Sequence, residues 1–423
     1  MTRRSDPSRR DVLKAAVAVG SAAGLSACLG VDDEPIPAGV EDPTALPERQ
    51  HAWNETLDTD DDGNHVLPRH HAFLYVNLRT DEPTAADRET VESALAALDR
   101  AYERSPAGLL YSIAYSPAYF ERYGTAPEGV DLPPPRRLSD FEQPTLDTQD
   151  VLLHLASDRP RALLEAEAAL FDERETANGV ETTPIDRVFE LDDRRSGFIG
   201  AGMPADRADE VRGAPDGAIP DAAKLFMGFD AGFAGNQATE EYVTIADGPF
   251  AGGTTKHVSK LSQRLDRWYD DHDHEDMVLR LFGTRHLGAV EGVGTNLGSD
   301  SGVVPESLDE LVSEANAHGA IGHAQKIARA NRDEAGNVRT LRRHVESTDD
   351  GVASLHFPSL QRDISTFEAV REAMNGADIA RDSATVAQRD NNGILRYIFT
   401  QNRGNFLVPP RSLRALPTPT GSA

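Results

Sequence analysis

Apolar and polar positions in the first half of the chain follow the period of strands in some segments and that of helices in others. Residues 71–78 alternate every second position, as in a strand, and residues 109–115 give a second strand. Between them, apolar residues recur at helical spacings over residues 85–104. The same strand–helix–strand order returns over residues 151–191. Two such units in succession are typical of a ferredoxin-like, split βαβ domain.

The second half repeats this order of elements with more interruptions. Strands are predicted at residues 242–245, 257–261, 352–357, 395–399 and 405–408, and helices at residues 265–269, 273–281 and 364–374. We therefore predict an α+β fold of two ferredoxin-like (split βαβ) domains, with antiparallel sheets and flanking helices. The N-terminal domain is expected over residues 65–220 and the C-terminal domain over residues 221–415.

Residues 1–28 carry the features of an export signal. Arg9 and Arg10 form an arginine pair, an apolar run follows over residues 15–25, and small residues precede Cys28. The run has the length of a signal-peptide core and is too short to span a membrane. The pattern predicts a twin-arginine signal peptide over residues 1–27 and a lipid on Cys28. That lipid would anchor the protein to the outer face of the cytoplasmic membrane.

Residues 28–64 are rich in Asp, Glu, Pro and Gly and show little apolar periodicity. Such a composition does not supply the apolar surface that a packed core needs. We therefore predict a flexible acidic tether between the lipid anchor and the folded domains.

Acidic residues outnumber basic ones by 70 to 43, which gives a formal net charge of −27. A dispersed acidic excess keeps a surface hydrated at very high salt, where screening removes long-range repulsion. We interpret it as a halophilic surface, and it argues against a nucleic-acid partner, which requires a basic face. Cys28 is the only cysteine. Once it carries lipid, no thiol remains for a disulfide, a zinc–thiolate site or nucleophilic catalysis.

Four segments of the second half carry recognisable motifs. They are residues 247–254 (DGPFAGGT), residues 322–343 (from GHAQKIARANR to RTLRR), residues 351–363 (GVASLHFPSLQRD) and residues 405–410 (NFLVPP). In this order and spacing they resemble the dye-decolorising (DyP-type) haem peroxidases. The resemblance extends more weakly back to His70. It implies two ferredoxin-like domains, with haem in the C-terminal one.

The resemblance implies haem b as the cofactor and His323 as the proximal ligand of the haem iron. A neutral imidazole binds iron through one nitrogen while the other nitrogen donates to an acceptor, and Asp363 matches that acceptor carboxylate. Arg342 matches the distal arginine, whose guanidinium would attract hydroperoxide and stabilise charge during O–O cleavage. Arg343, directly adjacent, competes with Arg342 for this role.

The chain departs from the family at one distal position. The family has a G-x-x-D-G segment whose aspartate is thought to move the peroxide proton, whereas this chain has Gly228-Phe229-Asp230-Ala231-Gly232. Ala231 therefore stands at the aspartate position, and Asp230 comes one residue earlier. On an extended segment, this displacement would turn the carboxylate to the opposite face. Either Asp230 reaches the haem through a bulged backbone, or Arg342 works alone.

Three hypotheses about function follow. The first is a DyP-like peroxidase that reduces hydrogen peroxide and oxidises a small organic donor outside the cytoplasmic membrane. The second, motivated by Ala231, is a haem-binding or haem-handling protein with little peroxidase activity. The third is a non-haem extracytoplasmic binding protein on the same fold. The family often assembles, so a homo-oligomer is compatible with the resemblance.

Other clusters of polar residues are weaker candidates. Residues 270–276 (DDHDHED) offer carboxylate and imidazole metal ligands but are typical of an exposed acidic loop. Residues 58–63 are similar to a calcium loop, yet Arg69 stands where a ligating glutamate belongs. The adjacent pair His70 and His71 favours a local structural role. Residues 292–298 are glycine-rich but follow no clear strand, so a phosphate loop is not favoured.

Overall fold

Strands from both halves of the chain join in one mostly antiparallel sheet. The computed structural model describes residues 34–230, 233, 235–297 and 307–422, so the predicted signal peptide and Cys28 lie outside the described residues. The strands are β1 (His70–Leu78), β2 (Leu110–Tyr115), β3 (Thr145–Leu146), β4 (Val151–Ser157), β5 (Thr176–Ala177), β6 (Val180–Glu181), β7 (Phe189–Phe198), β8 (Thr254–Gln263), β9 (Leu341–Arg342), β10 (Val345–Ser347), β11 (Ser354–Gln361) and β12 (Ile398–Val408).

The strand order shows how the two predicted halves meet. Hydrogen bonds order the sheet as β10-β7-β1-β4-β2-β12-β8-β11-β9, and β10 also pairs with β11. Strands of the first half therefore pair with strands of the second half in three places: β2 with β12, β3 with β12 and β7 with β10. The residues from Pro37 onward form one compact unit. The domain boundary near residue 220 stays a prediction.

Helices cover this sheet and frame the cavity described below. They are α1 (Ala85–Ala101), α2 (Pro117–Glu121), α3 (Pro160–Leu170), α4 (Met203–Asp206), α5 (Glu240–Val243), α6 (Leu265–Asp271), α7 (His274–Leu281), α8 (Leu308–His318), α9 (His323–Ala330), α10 (Ile364–Met374) and α11 (Ala377–Asp382). Helix α3 packs on β1 and β4, and α10 packs on β8, β11 and α9. Residues 242–245 are not the predicted strand, because Thr239 caps α5 there by accepting from the N–H of Tyr242.

The segment predicted as a flexible tether is part of the folded body from Pro37 onward. Trp53 is 1% exposed and packs with Leu57, Leu110 and Ala156. The buried carboxylate of Glu240 accepts hydrogen bonds from the backbone N–H groups of Trp53 (2.6 Å) and Asn54 (2.9 Å). The tether prediction is wrong for this stretch because a single buried tryptophan and a distant carboxylate anchor it, and neither creates a periodic pattern.

Two histidines form a buried pair between neighbouring strands of the first half. The carbonyl of Pro68 accepts a hydrogen bond from Nε2 of His71, which leaves Nδ1 of His71 to accept from Nε2 of His154 at 2.9 Å. Burial lowers the pKa of His71 to about 3 and holds the pKa of His154 well below its usual value. Both imidazoles are therefore neutral in the folded protein.

This pair predicts loss of stability in mild acid. Below about pH 6.5 an unfolded chain protonates both histidines while the folded chain does not, so unfolding takes up protons. Above pH 6.5 the pair should not make the free energy of unfolding depend on pH. Below pH 6.5 the free energy of unfolding should decrease by about 1.4 kcal/mol per pH unit for each extra proton that the unfolded chain binds. Urea unfolding in high salt between pH 7.5 and 4.5 measures this slope. His154→Leu should make the slope shallower, whereas the exposed control His65→Leu should not.

Candidate functional site

A large cavity lies in the second half of the chain. Its volume is about 1160 Å³, beyond the roughly 300–1,000 Å³ of ordinary ligand pockets. Helices α9 and α10 and strands β8 to β11 contribute to its wall, together with residues of the segment that was predicted as a tether. Much of the lining is apolar and aromatic, including Phe229, Phe233, Phe282, Ile327, Phe357, Phe367, Leu395 and Ile398. The cavity therefore suits a large, largely apolar ligand.

His323 is the first residue of helix α9 and lines this cavity. The helix starts tightly, because a Cβ on Gly322 would collide with the backbone of Gly283. Burial, followed by the positive charges of Lys326 and Arg342, lowers the pKa of His323 to about 3. Nδ1 is buried and has no hydrogen-bond partner among the described residues. A neutral imidazole on a cavity wall is in the state that binds a metal ion.

Asp363 does not lie beside His323. It is the N-cap position of α10, and its pKa is raised by burial and by the neighbouring Asp131. It is absent from the cavity lining, and no hydrogen bond joins it to His323. The prediction of an Asp363–His323 bond is corrected on this point, because β11 ends at Gln361 and the turn into α10 carries the carboxylate toward Asp131.

Arg342 reaches the cavity from strand β9. Its backbone N–H donates to Oε1 of Gln237 (2.8 Å), and its Nη2 donates to the carbonyl of Asn236 (2.7 Å). Its partners are thus neutral, and no ion pair joins it to a carboxylate in the described part of the chain. Burial lowers the pKa of Arg342 to about 10, which leaves it charged at neutral pH. A cation without a counter-ion on a cavity wall is available to an anionic ligand.

The side chain of Arg343 is held by contacts with other residues of the protein. Its Nη2 lies 2.6 Å from the carboxylate of Glu240 and 2.8 Å from the carbonyl of His51, which accepts from it. Its guanidinium also stacks over the ring of Trp53, with 4.4 Å to the centroid. Of the two adjacent arginines, Arg342 is therefore the one free to meet a ligand.

Asp230 also lines the cavity, and its carboxylate lies 3.3 Å from Nζ of Lys224. Burial raises the pKa of Asp230, and Lys224 opposes that rise. The backbone N–H of Asp230 donates to the carbonyl of Val293 at 2.9 Å. Ala231 lies outside the described residues, so the displacement of the distal carboxylate stays a prediction.

Two cavity residues escaped the sequence analysis, His344 and Glu346. Together with Arg342 they occupy alternate positions, so the two-residue period of an extended chain places the three on one face. Burial raises the pKa of Glu346 to about 8, although it accepts from the N–H of Phe226 (3.1 Å) and the amide of Gln263 (2.5 Å). The R-x-H-x-E spacing after Arg342 is the signal that could have revealed them.

Four further arginines lie at the cavity wall, and one of them, Arg49, pairs with Glu241 at 3.0 Å. Arg371 and Arg403 are both paired with the buried carboxylate of Glu142, at 3.3 and 2.9 Å. Arg389 lies over the ring of Phe399 at 4.1 Å and has no carboxylate partner among the described ion pairs. Arg389 and Arg342 thus bring positive charge to the cavity without an ion pair among the described residues.

The other polar clusters serve local structure. Asp273 caps helix α7, and His272 hydrogen-bonds the hydroxyl of Tyr397 at 2.5 Å. The carboxylate of Asp60 accepts from the backbone N–H groups of Asp62 and Asn64. Within the described ranges, no group of three or more His, Cys, Asp or Glu residues is arranged to hold a metal ion. None of the helices in the described part of the chain has both the length and the apolarity to cross a membrane.

Comparisons with known proteins bear on the fold. A family model described as "Family of unknown function (DUF7405)" matches residues 68–410. No curated protein matches the chain. Solved structures do match, among them a protein from Shewanella oneidensis described as a DyP-type peroxidase. It is 16% identical with a TM-score of 0.56, and the match covers 87% of this chain and 97% of that one.

Two more solved structures of DyP-type peroxidases are similar to this chain in fold. DyPB from Rhodococcus jostii is 16% identical with a TM-score of 0.55, covering 83% of this chain and 95% of that one. The encapsulated DyP-type peroxidase from Mycobacterium smegmatis is 16% identical with a TM-score of 0.53, covering 92% and 100%. At such identity the likeness concerns the fold. The predicted α+β fold, with its resemblance to DyP-type peroxidases, is confirmed.

Proposed function

The chain belongs to DUF7405, a family of unknown function, and we propose that it binds haem b and reduces hydrogen peroxide with an organic electron donor. One observation carries the proposal: a neutral histidine, His323, and an arginine without a counter-ion, Arg342, line the same large apolar cavity. A heme complex of a Rhodococcus jostii DypB variant, 16% identical to this chain, shares the fold.

The residues at the cavity fit haem in three respects. Aromatic and aliphatic walls suit a flat apolar macrocycle. His323 supplies an uncharged imidazole, and its Nδ1 has no partner in the described structure that would hold the ring in another role. Arg342 and Arg389 supply positive charge and make no ion pair with a described carboxylate, which suits the two propionates.

Bound haem would supply the redox chemistry, which no side chain here can provide. His323 would hold the iron through its neutral imidazole. Arg342 would orient hydroperoxide and stabilise negative charge on its oxygens, because its guanidinium is fixed by Asn236 and Gln237. The apolar walls would exclude bulk water and so strengthen that electrostatic effect.

A second candidate function is haem binding or handling with little peroxidase activity. It is favoured by the buried Nδ1 of His323, which finds no acceptor among the described residues. An acceptor on that nitrogen makes an imidazole a stronger donor to the metal, and Asp363 does not supply one. Such a haem would be held well yet cleave peroxide slowly.

Location is part of the proposal. The order of arginine pair, apolar run and Cys28 supports export by the twin-arginine route and a lipid anchor on the outer face of the cytoplasmic membrane. Mass spectrometry of the membrane-extracted protein would detect a lipid on an N-terminal Cys28. A water-soluble protein that retains residues 1–27 would contradict this location.

Peroxide turnover by the haem-loaded protein tests the enzymatic proposal. Arg342→Leu should retain the haem absorption band and lower kcat by about 10²–10³-fold, the usual loss for one charge-stabilising donor. The exposed control Arg137→Leu should leave the rate unchanged. An unchanged rate in Arg342→Leu would remove that residue from the reaction. A wild-type protein that holds haem but does not turn over peroxide would favour the second candidate.

A further inference from the structure

His344 occupies the same face of the chain as Arg342, two residues further along. Both residues line the cavity, as does Arg343 between them, but the guanidinium of Arg343 is already engaged by Glu240 and Trp53. The imidazole of His344 stacks on Phe357, with ring centroids 6.2 Å apart and planes inclined by 16°. The backbone alternation therefore brings an imidazole and a guanidinium to one side of the cavity.

The ring of His344 has no hydrogen-bond partner among the described residues, and its Nδ1 is buried. Buried polar atoms in folded proteins nearly always have a partner, so an unpartnered one on a cavity wall is available to a bound molecule. The ionisable groups that act on His344 electrostatically are Arg342 and His323. Neither is a carboxylate. Burial and Arg342 lower the pKa of His344 to about 4, so the ring is a neutral proton acceptor above that pH.

Asp230, the other candidate for moving a proton, has a partner already. Its carboxylate lies 3.3 Å from Nζ of Lys224; burial raises the pKa of Asp230, and Lys224 opposes that rise. A carboxylate engaged in an ion pair must break that contact to act on a substrate. His344 has no such contact to break.

We propose that His344 is the group that accepts the proton of a small, weakly acidic ligand such as hydrogen peroxide in this cavity, an inference that rests on the proposed haem function. In the first step, H₂O₂ and neutral imidazole become HOO⁻ and imidazolium, and Arg342 stabilises the anion. When the O–O bond breaks, the bound haem would supply two electrons and take up the second oxygen atom, and the imidazolium would return its proton to the departing HO⁻, which leaves as water. His344 thus accepts one proton and later gives it back, so it ends the cycle neutral, as it began.

Cyanide binding to the hemin-loaded protein tests this without relying on turnover. Hydrogen cyanide, like hydrogen peroxide, is a neutral acid that loses its proton when it binds ferric iron. Stopped-flow absorption with potassium cyanide at pH 7 should give an association rate about 100-fold lower in His344→Leu and His344→Gln, the size of a lost acid–base group. His318, an exposed histidine at the end of α8 that does not line the cavity, is the matched control, and His318→Leu should keep the wild-type rate.

The pH profile and spectra separate the remaining outcomes. In the wild type the rate should fall below about pH 4, as His344 protonates, and His344→Leu should lack that inflection. Equal rates in wild type and variants that bind hemin normally would overturn the inference while leaving the proposed function intact. A low-spin bis-histidine spectrum that disappears in His344→Leu would overturn it too, by making His344 an iron ligand. Failure of the wild type to bind hemin would overturn both.

Discussion

Replacing His323 with alanine is expected to abolish specific haem binding. The substitution removes the one neutral imidazole at the start of α9 that lines the cavity, and the remaining apolar wall would hold hemin only loosely. The Kd for hemin should rise by about 100-fold or more, since even the groups that merely support a ligating histidine are worth ten- to a hundredfold. Titration with hemin, followed by the Soret band, measures the change.

The matched control is His318→Ala, which removes an exposed histidine that does not line the cavity. It should bind hemin as the wild type does. Added imidazole should restore a histidine-like spectrum to His323→Ala, because the small molecule can fill the space that the side chain leaves. A variant that keeps the wild-type band and stoichiometry would contradict the assignment of His323 as the ligand.

Removing Glu142 is expected to have the largest effect on stability. This carboxylate is 5% exposed and binds Arg403 and Arg371, and it also accepts from the N–H of Leu138 and the hydroxyl of Thr400. Glu142→Ala leaves two buried guanidinium groups without their counter-ion. The free energy of unfolding should fall by about 3–5 kcal/mol, as for other broken buried pairs. Chemical denaturation measures it.

High salt distinguishes this buried cluster from surface charge. Salt screens exposed pairs but hardly reaches buried ones, so the loss in Glu142→Ala should persist at molar salt. The nearby exposed control Asp140→Ala, which removes a carboxylate 91% exposed, should leave the unfolding midpoint unchanged. A Glu142→Ala protein as stable as the wild type would show that the two arginines find solvent or other partners.

The Glu142 cluster also predicts that the free energy of unfolding depends on pH in the acidic range. Burial opposes ionisation of Glu142, but Arg403 and Arg371 outweigh it and lower the pKa of this carboxylate below its usual value. The stabilisation is therefore complete above about pH 4.5, the ordinary glutamate range, and is lost as the pH falls through the lowered pKa.

The fold could be predicted from the sequence where local periodicity was strong. Strand β1 follows from two-residue alternation, β4 from a short continuous apolar run, and helix α1 from helical spacing. The short helix α5 could not, since Thr239 caps it and its apolar residues alternate as in a strand. The prediction of a flexible tether was wrong for residues 37–64. Their composition indicates that they are acidic, but it does not indicate that Trp53 is buried against Leu110 and Ala156.

The candidate site was predictable only in part. The resemblance placed His323 and Arg342, and the structure puts both on one cavity. It could not separate Arg342 from Arg343, because the carboxylate that engages Arg343 is Glu240, 103 residues earlier in the chain. The chain has 13 histidines, and no sequence motif distinguished His344 from the others. Asp363 matched a motif in sequence, but the turn into α10 directs it toward Asp131.

The most direct test of haem binding is an absorption titration of the purified full-length protein with hemin in high salt. The account predicts a Soret band of histidine-ligated ferric haem that grows linearly and saturates at one equivalent. A spectrum that remains the sum of free hemin and protein would contradict it, and would remove the roles of His323, Arg342 and His344 together while leaving the fold unaffected.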